Sequence, residues 1–301
     1  MPDPKRCVTR TRLIRGVVSA LTLLLALGWG ADARARAVRW NRVLNASPSS
    51  LNAKDKRRAA QLINDISVYY GCANTVANCL SSDPKSRTAR HLAGLIVRMV
   101  SKGRSNDQVK AAVKLRSVSA HPPRLYRFNL KLRPRVGAAS PKVTIVEFAD
   151  FECPMCRVVS PILKRLVSQL AGQGVALFFK HYPVSTHRRA IPSARAAYAA
   201  HQQGKFWQLH DLLYKNSPRL SVAQVEGYAR SVGLDMAKFR AARDNRRSRL
   251  VVAADKQSGL RAGMTGTPAI FINGKRYRGR KDHTELLDRL QEELHLVKGG
   301  H

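Results

Sequence analysis

Apolar residues first recur at helical spacing from residue 54 onward, where Ala59, Leu62, Ile63, Ile66 and Tyr70 predict a helix over about 54–69. A second helical pattern covers 86–100, with Leu92, Leu95, Ile96, Met99 and Val100 on one stripe and Gly103 as its stop. Ser105 and Gln108 have capping-box spacing and start a third helix carrying Val109, Val113 and Leu115. Residues 38–120 therefore predict a small all-helical module. His121-Pro122-Pro123 ends it, and Tyr126, Phe128, Leu130 and Leu132 then alternate with polar residues, the period of an edge strand. Residues 134–141 are rich in Pro, Gly, Ala and Ser and predict a loop, so 121–140 reads as a linker with a possible edge strand.

After residue 141 the period changes. Residues 143–149 are an almost unbroken apolar run and predict a strand; 154–170 predict a helix and 175–182 a second strand. Several helices follow over 193–216 and 221–261, with a capping box at Ser221-Val222-Ala223-Gln224 and a stop and restart at Gly233 and Asp235. Residues 269–272 and 275–277 predict strands joined by Asn273-Gly274, the strongest short hairpin signal. Asp282-His283-Thr284-Glu285 caps a last helix to about His295.

The charge changes the picture. The chain of 301 residues has a formal charge of +35. Lys5, Arg6, Arg10, Arg12 and Arg15 precede an apolar stretch over 17–27, and Ala31-Asp32-Ala33 offers a small-x-small cleavage site. Residues 1–33 thus have the form of an export signal, with an uncleaved membrane anchor as the alternative. Removing them takes away five basic and two acidic residues and leaves +32. Such a surface is attractive to anionic envelope surfaces. No stacking-aromatic motif accompanies the Arg clusters, so no specific nucleic-acid partner is expected. Cys7 leaves with the signal. Cys72, Cys79, Cys153 and Cys156 remain as two close pairs for a periplasmic or otherwise extracytoplasmic compartment where disulfides persist.

The chemistry is concentrated at Cys153-Pro154-Met155-Cys156, between a predicted strand and a predicted helix. A helix N-terminus offers unpaired N–H groups and partial positive charge, which favour a thiolate at Cys153. Pro154 at the first helical position loses no needed hydrogen bond. Met155 adds no charge. Arg157, not His, follows Cys156, which excludes a c-type haem site. No metal site and no cofactor are expected, because a zinc site would require further ligands at suitable spacing.

Residues 143–153, the segment Gly204-Lys205-Phe206-Trp207-Gln208-Leu209-His210-Asp211 and Gly266-Thr267-Pro268 together resemble the DsbA-like thiol–disulfide oxidoreductases. The resemblance implies a thioredoxin-like α/β fold over 141–298 with a helical insert at about 188–262. It implies Cys153 as nucleophile, Cys156 as resolving thiol and Glu147 as a buried acid that moves a proton to or from Cys156. It makes Thr267-Pro268 a cis-proline loop that docks the substrate backbone beside Pro154 and Met155, under an apolar groove formed by the insert. Its partners would be cysteine-containing exported proteins and a membrane or soluble redox partner. Three uses fit: an oxidase, a reductase or isomerase, and delivery of reductant to apocytochromes. The reading from another class is a non-catalytic thioredoxin-fold binding or chaperone module on anionic surfaces.

Residues 71–80 and 95–109 resemble the small helical domain of CcmH-like proteins, which act in cytochrome c maturation and carry a redox C-x-x-C pair. Here six residues separate Cys72 from Cys79. The pair fits either a structural disulfide that staples a helical hairpin or a relay to Cys153–Cys156.

Overall fold

The structure is a computed structural model that describes residues 36–299. The proposed signal segment and Cys7 lie outside the described residues. The central strand is β2 (Val143–Ala149), buried along nearly its whole length. It pairs in parallel with β3 (Val175–His181) and antiparallel with β4 (Ala269–Ile272). β1 (Arg135–Gly137) closes the β3 edge and β5 (Lys275–Arg276) the β4 edge, for a sheet order β1-β3-β2-β4-β5. Residues in β2 and β3 face cores on both sides, which is why both read as continuous apolar runs. One face packs α5 (Pro154–Gln169) and α11 (His283–Leu296) around Val143, Ile145, Leu163, Leu177, Ile270 and Leu290.

The helical excursion between β3 and β4 comprises α6 (Ala190–Gln202), α7 (Phe206–Asn216), α8 (Val222–Ser231), α9 (Met236–Asp244) and α10 (Arg246–Arg261). Phe151, Phe179, Phe206, Leu209, Leu213 and Phe239 fill the space between this insert and the sheet. The arrangement is the thioredoxin-like α/β fold with inserted helices expected from the sequence. The β4–β5 turn is Asn273-Gly274, with φ of 49° and 77°, the left-handed pair that this hairpin requires.

The edge strand is displaced from its expected position. Residues 126–132 form no strand; β1 instead lies at Arg135–Gly137, inside the stretch expected to be a loop. The alternating aromatics do something else. Tyr126 makes one backbone bond, its N–H to the Gly274 carbonyl at 2.8 Å. The Phe128 ring lies 5.0 Å from Phe148 and 4.8 Å from Phe271, so the segment is an aromatic strap over the open sheet face.

The N-terminal module is α1 (Ala53–Asp65), α2 (Val76–Ser82), α3 (Arg87–Ser101) and α4 (Asn106–Ala120), around Leu62, Leu80, Leu92 and Ile96. The capping box at Ser105 and Gln108 is formed. α1 stops at Asp65, earlier than its periodicity suggested, because Ile66 turns extended and Ser67 bridges to Thr75. Cys72 lies in that loop and Cys79 on the short helix α2; they are joined in a disulfide.

The module and the sheet domain together form one compact unit across the described residues. The join is ionic. From α11, Glu285, Asp288 and Glu292 point into the module, where Arg116 donates to Glu285 at 3.2 Å and to Glu292 at 2.6 Å, and Arg98 to Asp288 at 2.8 Å. Tyr69 donates its hydroxyl to Glu292 at 3.0 Å. Arg116, Asp288 and Glu292 are almost fully buried. The Asp288 carboxyl stays well below the usual carboxylate range: burial opposes its ionisation, and His91, Arg116 and Arg98 outweigh it.

Candidate active site

Cys153 is the N-cap residue of α5, and Pro154 occupies the first helical position. The Cys153 backbone N–H bonds to the Asp150 carbonyl at 3.2 Å, which seats the thiol at the turn between β2 and α5. Asp150 holds this turn in place. Its carboxylate accepts from the Glu152 and Val184 N–H groups, each at 2.8 Å, and lies 2.8 Å from His187 Nδ1. Both cysteines of the C-x-x-C pair are free thiols here; Cys153 is 7% exposed and Cys156 fully buried. Pro154 and Met155 are exposed at the tip of the helix.

The two thiols differ sharply. The Cys156 thiol donates to the Cys153 sulfur, and this is the main reason that Cys153 is lowered to about 5. Burial works against it. The Thr267 side chain and the backbone N–H groups of Cys156 and Met155 add to the lowering. The buried Thr267 hydroxyl has no protein acceptor among the described residues, so its proton is free for the sulfur. Cys156 is pushed far up, first by burial, then by the hydrogen bond to Cys153 and by the charge of Glu147. One thiol is thus an anion at neutral pH while its neighbour holds a proton.

Thr267 and Pro268 precede β4, and the bond between them is cis. The Thr267 carbonyl is 3.4 Å from Cys153 Sγ. Thr267 makes no backbone–backbone hydrogen bond among the described residues, because the ladder of β4 on β2 begins at Ala269.

Glu147 is fully buried on β2, and burial raises its carboxyl to about 7. The Ser160 hydroxyl donates to Oε1, while Oε2 has no protein partner among the described residues. Ser160 and Tyr214 complete a buried polar cluster that sequence reasoning missed. A signal existed for Ser160: it lies one helical turn after Cys156, on the buried stripe of Val159 and Leu163, where an apolar residue is the default.

Beside α5 the insert forms a cleft whose surface is mostly apolar, with Pro161 and Tyr214 in its lining, and whose walls also carry charged side chains. The cleft lies between α5 and α7 and measures about 690 Å³, with Arg157, Lys164, Arg165, Asp211 and Lys215 on its walls. Among the described residues no group of three or more His, Cys, Asp or Glu is placed to hold a metal. The Cys72–Cys79 disulfide sits within the helical module, where Cys79 is fully buried and closed to an incoming thiol.

Comparison with known proteins places this geometry. The family model described as thioredoxin matches residues 131–292. BdbD from Bacillus subtilis, in its oxidised form, superposes with a TM-score of 0.51 at 23% identity, covering 56% of this chain and 97% of that one. The thiol–disulfide exchange protein alpha-DsbA2 from Wolbachia pipientis superposes with a TM-score of 0.50 at 18% identity, covering 61% and 97%. Among curated sequences, the Na(+)/H(+) antiporter NhaA 1 of Salinispora arenicola is 35% identical over 144 residues, 48% of this chain and 22% of the antiporter. The chain spans about a fifth of the length of the curated relatives it matches, so the shared part is one segment of those proteins.

Proposed function

This chain belongs to the thioredoxin family, and on that premise we propose that it is an exported thiol–disulfide oxidoreductase acting on cysteine-containing proteins of the envelope. The observation that carries the reading is the split between the two thiols. Cys153, at the mouth of the site, is an anion at neutral pH, and Cys156, buried behind it, retains its proton.

In the oxidising direction a substrate thiolate attacks Cys153 Sγ of the closed pair. The Cys153–Cys156 bond breaks, its electron pair passes to Cys156, and a mixed disulfide forms on Cys153. A second substrate thiolate attacks the substrate sulfur of that mixed disulfide. The substrate leaves oxidised by two electrons, and Cys153 departs as a stabilised thiolate. Stabilising that leaving group favours the reduced protein and makes the pair oxidising. Cys156 must take up a proton when it is released. Glu147, with a carboxyl near neutrality and an unpartnered Oε2, is suited to supply it. The free Thr267 backbone next to Cys153 suits an extended substrate segment, with Pro154 and Met155 forming the exposed lip. A membrane or soluble redox partner must then accept the two electrons. The Cys72–Cys79 disulfide, with Cys79 fully buried and Cys72 half-buried against the module core, suits a structural staple better than a relay.

The test is oxidation of a reduced two-cysteine peptide by the oxidised protein, with oxidised glutathione as the terminal acceptor. Catalysis is expected, and Cys153→Ser should abolish it. Equal rates for wild type and Cys153→Ser would replace the enzyme with the non-catalytic binding or chaperone module.

A further inference from the structure

The cleft between α5 and α7 begins one residue beyond the active-site pair. Arg157 follows Cys156 directly, and Lys164 and Arg165 lie further along the same helix. At about 1.5 Å per residue, Arg165 is ~18 Å along α5 from Cys153, the reach of roughly five or six extended residues. Lys215 faces these residues from α7.

The charges do not cancel. Asp211 is the only acid on the cleft walls, and it is already engaged by Lys164 and by His210 Nδ1 at 2.8 Å. Arg157 donates through Nη1 to the Ser217 carbonyl at 2.9 Å, which ties it to the rim while its positive charge remains unopposed. Arg165 and Lys215 are exposed and make no hydrogen bond or ion pair among the described residues. Pro161, inside α5 and on the cleft wall, has no N–H to donate to the Arg157 carbonyl.

We propose that this cleft binds an acidic segment of the substrate protein, lying within about six residues of the cysteine that reacts with Cys153. The proposal rests on the exchange function above and adds the class of substrate. A concave channel between two helices fits a single extended chain, and a flat anionic bilayer would meet only its rim. The uncompensated cations, Arg157 and Arg165 on one wall and Lys215 on the other, match Asp or Glu on that chain.

A fluorescent ten-residue peptide with three Glu within six residues of a Ser, placed where the cysteine would be, reads binding without any exchange. A control peptide carries Gln for Glu. Wild type should bind the acidic peptide about tenfold more tightly at low salt, the scale of two or three partly screened ion pairs, and lose the difference by 0.3 M salt. The double variant Arg165→Glu/Lys215→Glu, at two exposed positions, should bind both peptides alike, with an unchanged melting temperature. Equal affinity of wild type for the two peptides, or a preference that survives the double variant, overturns the proposal. So does a double variant that loses only its binding to phosphatidylglycerol vesicles and keeps its peptide preference, because the cleft would then serve a membrane. Since the peptides carry no thiol, failure of cysteine oxidation with the acidic preference intact would sink the exchange function alone.

Discussion

Alkylation of the reduced protein as a function of pH puts a number on the Cys153 thiolate. Its titration is held at about 5, against about 8.5 for a thiol in water. At pH 6 some ~90% of Cys153 is then thiolate, compared with ~0.3% of an ordinary thiol, a ~300-fold advantage. A weaker base is a poorer nucleophile. With a Brønsted coefficient of ~0.4–0.5, the lower basicity costs ~30-fold, which leaves Cys153 about tenfold faster at pH 6. At pH 8.5 the order reverses, since half of the ordinary thiol is ionised and each of its thiolates reacts faster. The midpoint of the profile therefore carries the test, and its height does not. The rate should climb tenfold per pH step below about 5 and level off above ~6. Mass spectrometry of the labelled peptide assigns the signal, because buried, protonated Cys156 does not compete. Cys156→Ala removes the principal donor to the sulfur. A hydrogen bond to a charged group is worth ~1.5–3 kcal/mol, so the midpoint should move up to roughly 6–7. A wild-type midpoint near 8.5, or an unmoved midpoint in Cys156→Ala, refutes the reasoning.

The same thiolate sets the potential. Against a pair whose attacking thiol titrates near ~7 and whose potential is ~−270 mV, the additional ionisation at pH 7 adds ~50 mV, so equilibration with glutathione should place Cys153–Cys156 near ~−220 mV. The folded titration is depressed, so this stabilisation of the reduced form is complete above the unfolded value of ~8.5 and is lost as pH falls through about 5. Glu147 has the opposite sign. Its folded value is raised to about 7, so its contribution is most favourable below ~4.3 and declines as pH rises to about 7. Glu147→Gln should therefore gain about 3 kcal/mol at pH 8 relative to pH 4 in urea melts. It should also slow proton uptake at Cys156, which then remains a thiolate and closes back onto Cys153, seen as a shorter-lived mixed disulfide and a lower yield of oxidised substrate per encounter. A Cys72→Ala/Cys79→Ala variant opens a loop of sequence separation 7 and should lose ~2–3 kcal/mol of stability with unchanged turnover of folded protein. Lost turnover at unchanged stability would instead make that pair a relay.

Local chemistry was legible in the sequence wherever a few adjacent residues determine the outcome. Asn273-Gly274 demands left-handed backbone, the Ser105 and Ser221 boxes satisfy their own helix ends, and a C-x-x-C after an apolar run seats a thiol on a helix N-terminus. The edge strand was misplaced for a physical reason. Aromatic alternation over 126–132 reports a face that covers other rings, whereas the real β1 is three residues long and owes its pairing to β3. Features made by distant segments were invisible. The last helix reads as an ordinary capped, charged surface helix, and nothing in its own residues says that Arg98 and Arg116 will cover Glu285, Asp288 and Glu292. Ser160 and Tyr214 likewise gain meaning only when α5 and α7 bring them beside Glu147 and Cys156.

That ionic join decides how the protein can be cut. Residues 36–120 supply the positive half of a charge set whose negative half belongs to the last helix of the exchange domain. A chain trimmed to the family match would lose Arg98 and Arg116 together with the cover they provide, and would turn the α11 face that carries Glu285, Asp288 and Glu292 out to solvent. Such a fragment would show an acidic patch where the whole protein has a covered ionic join.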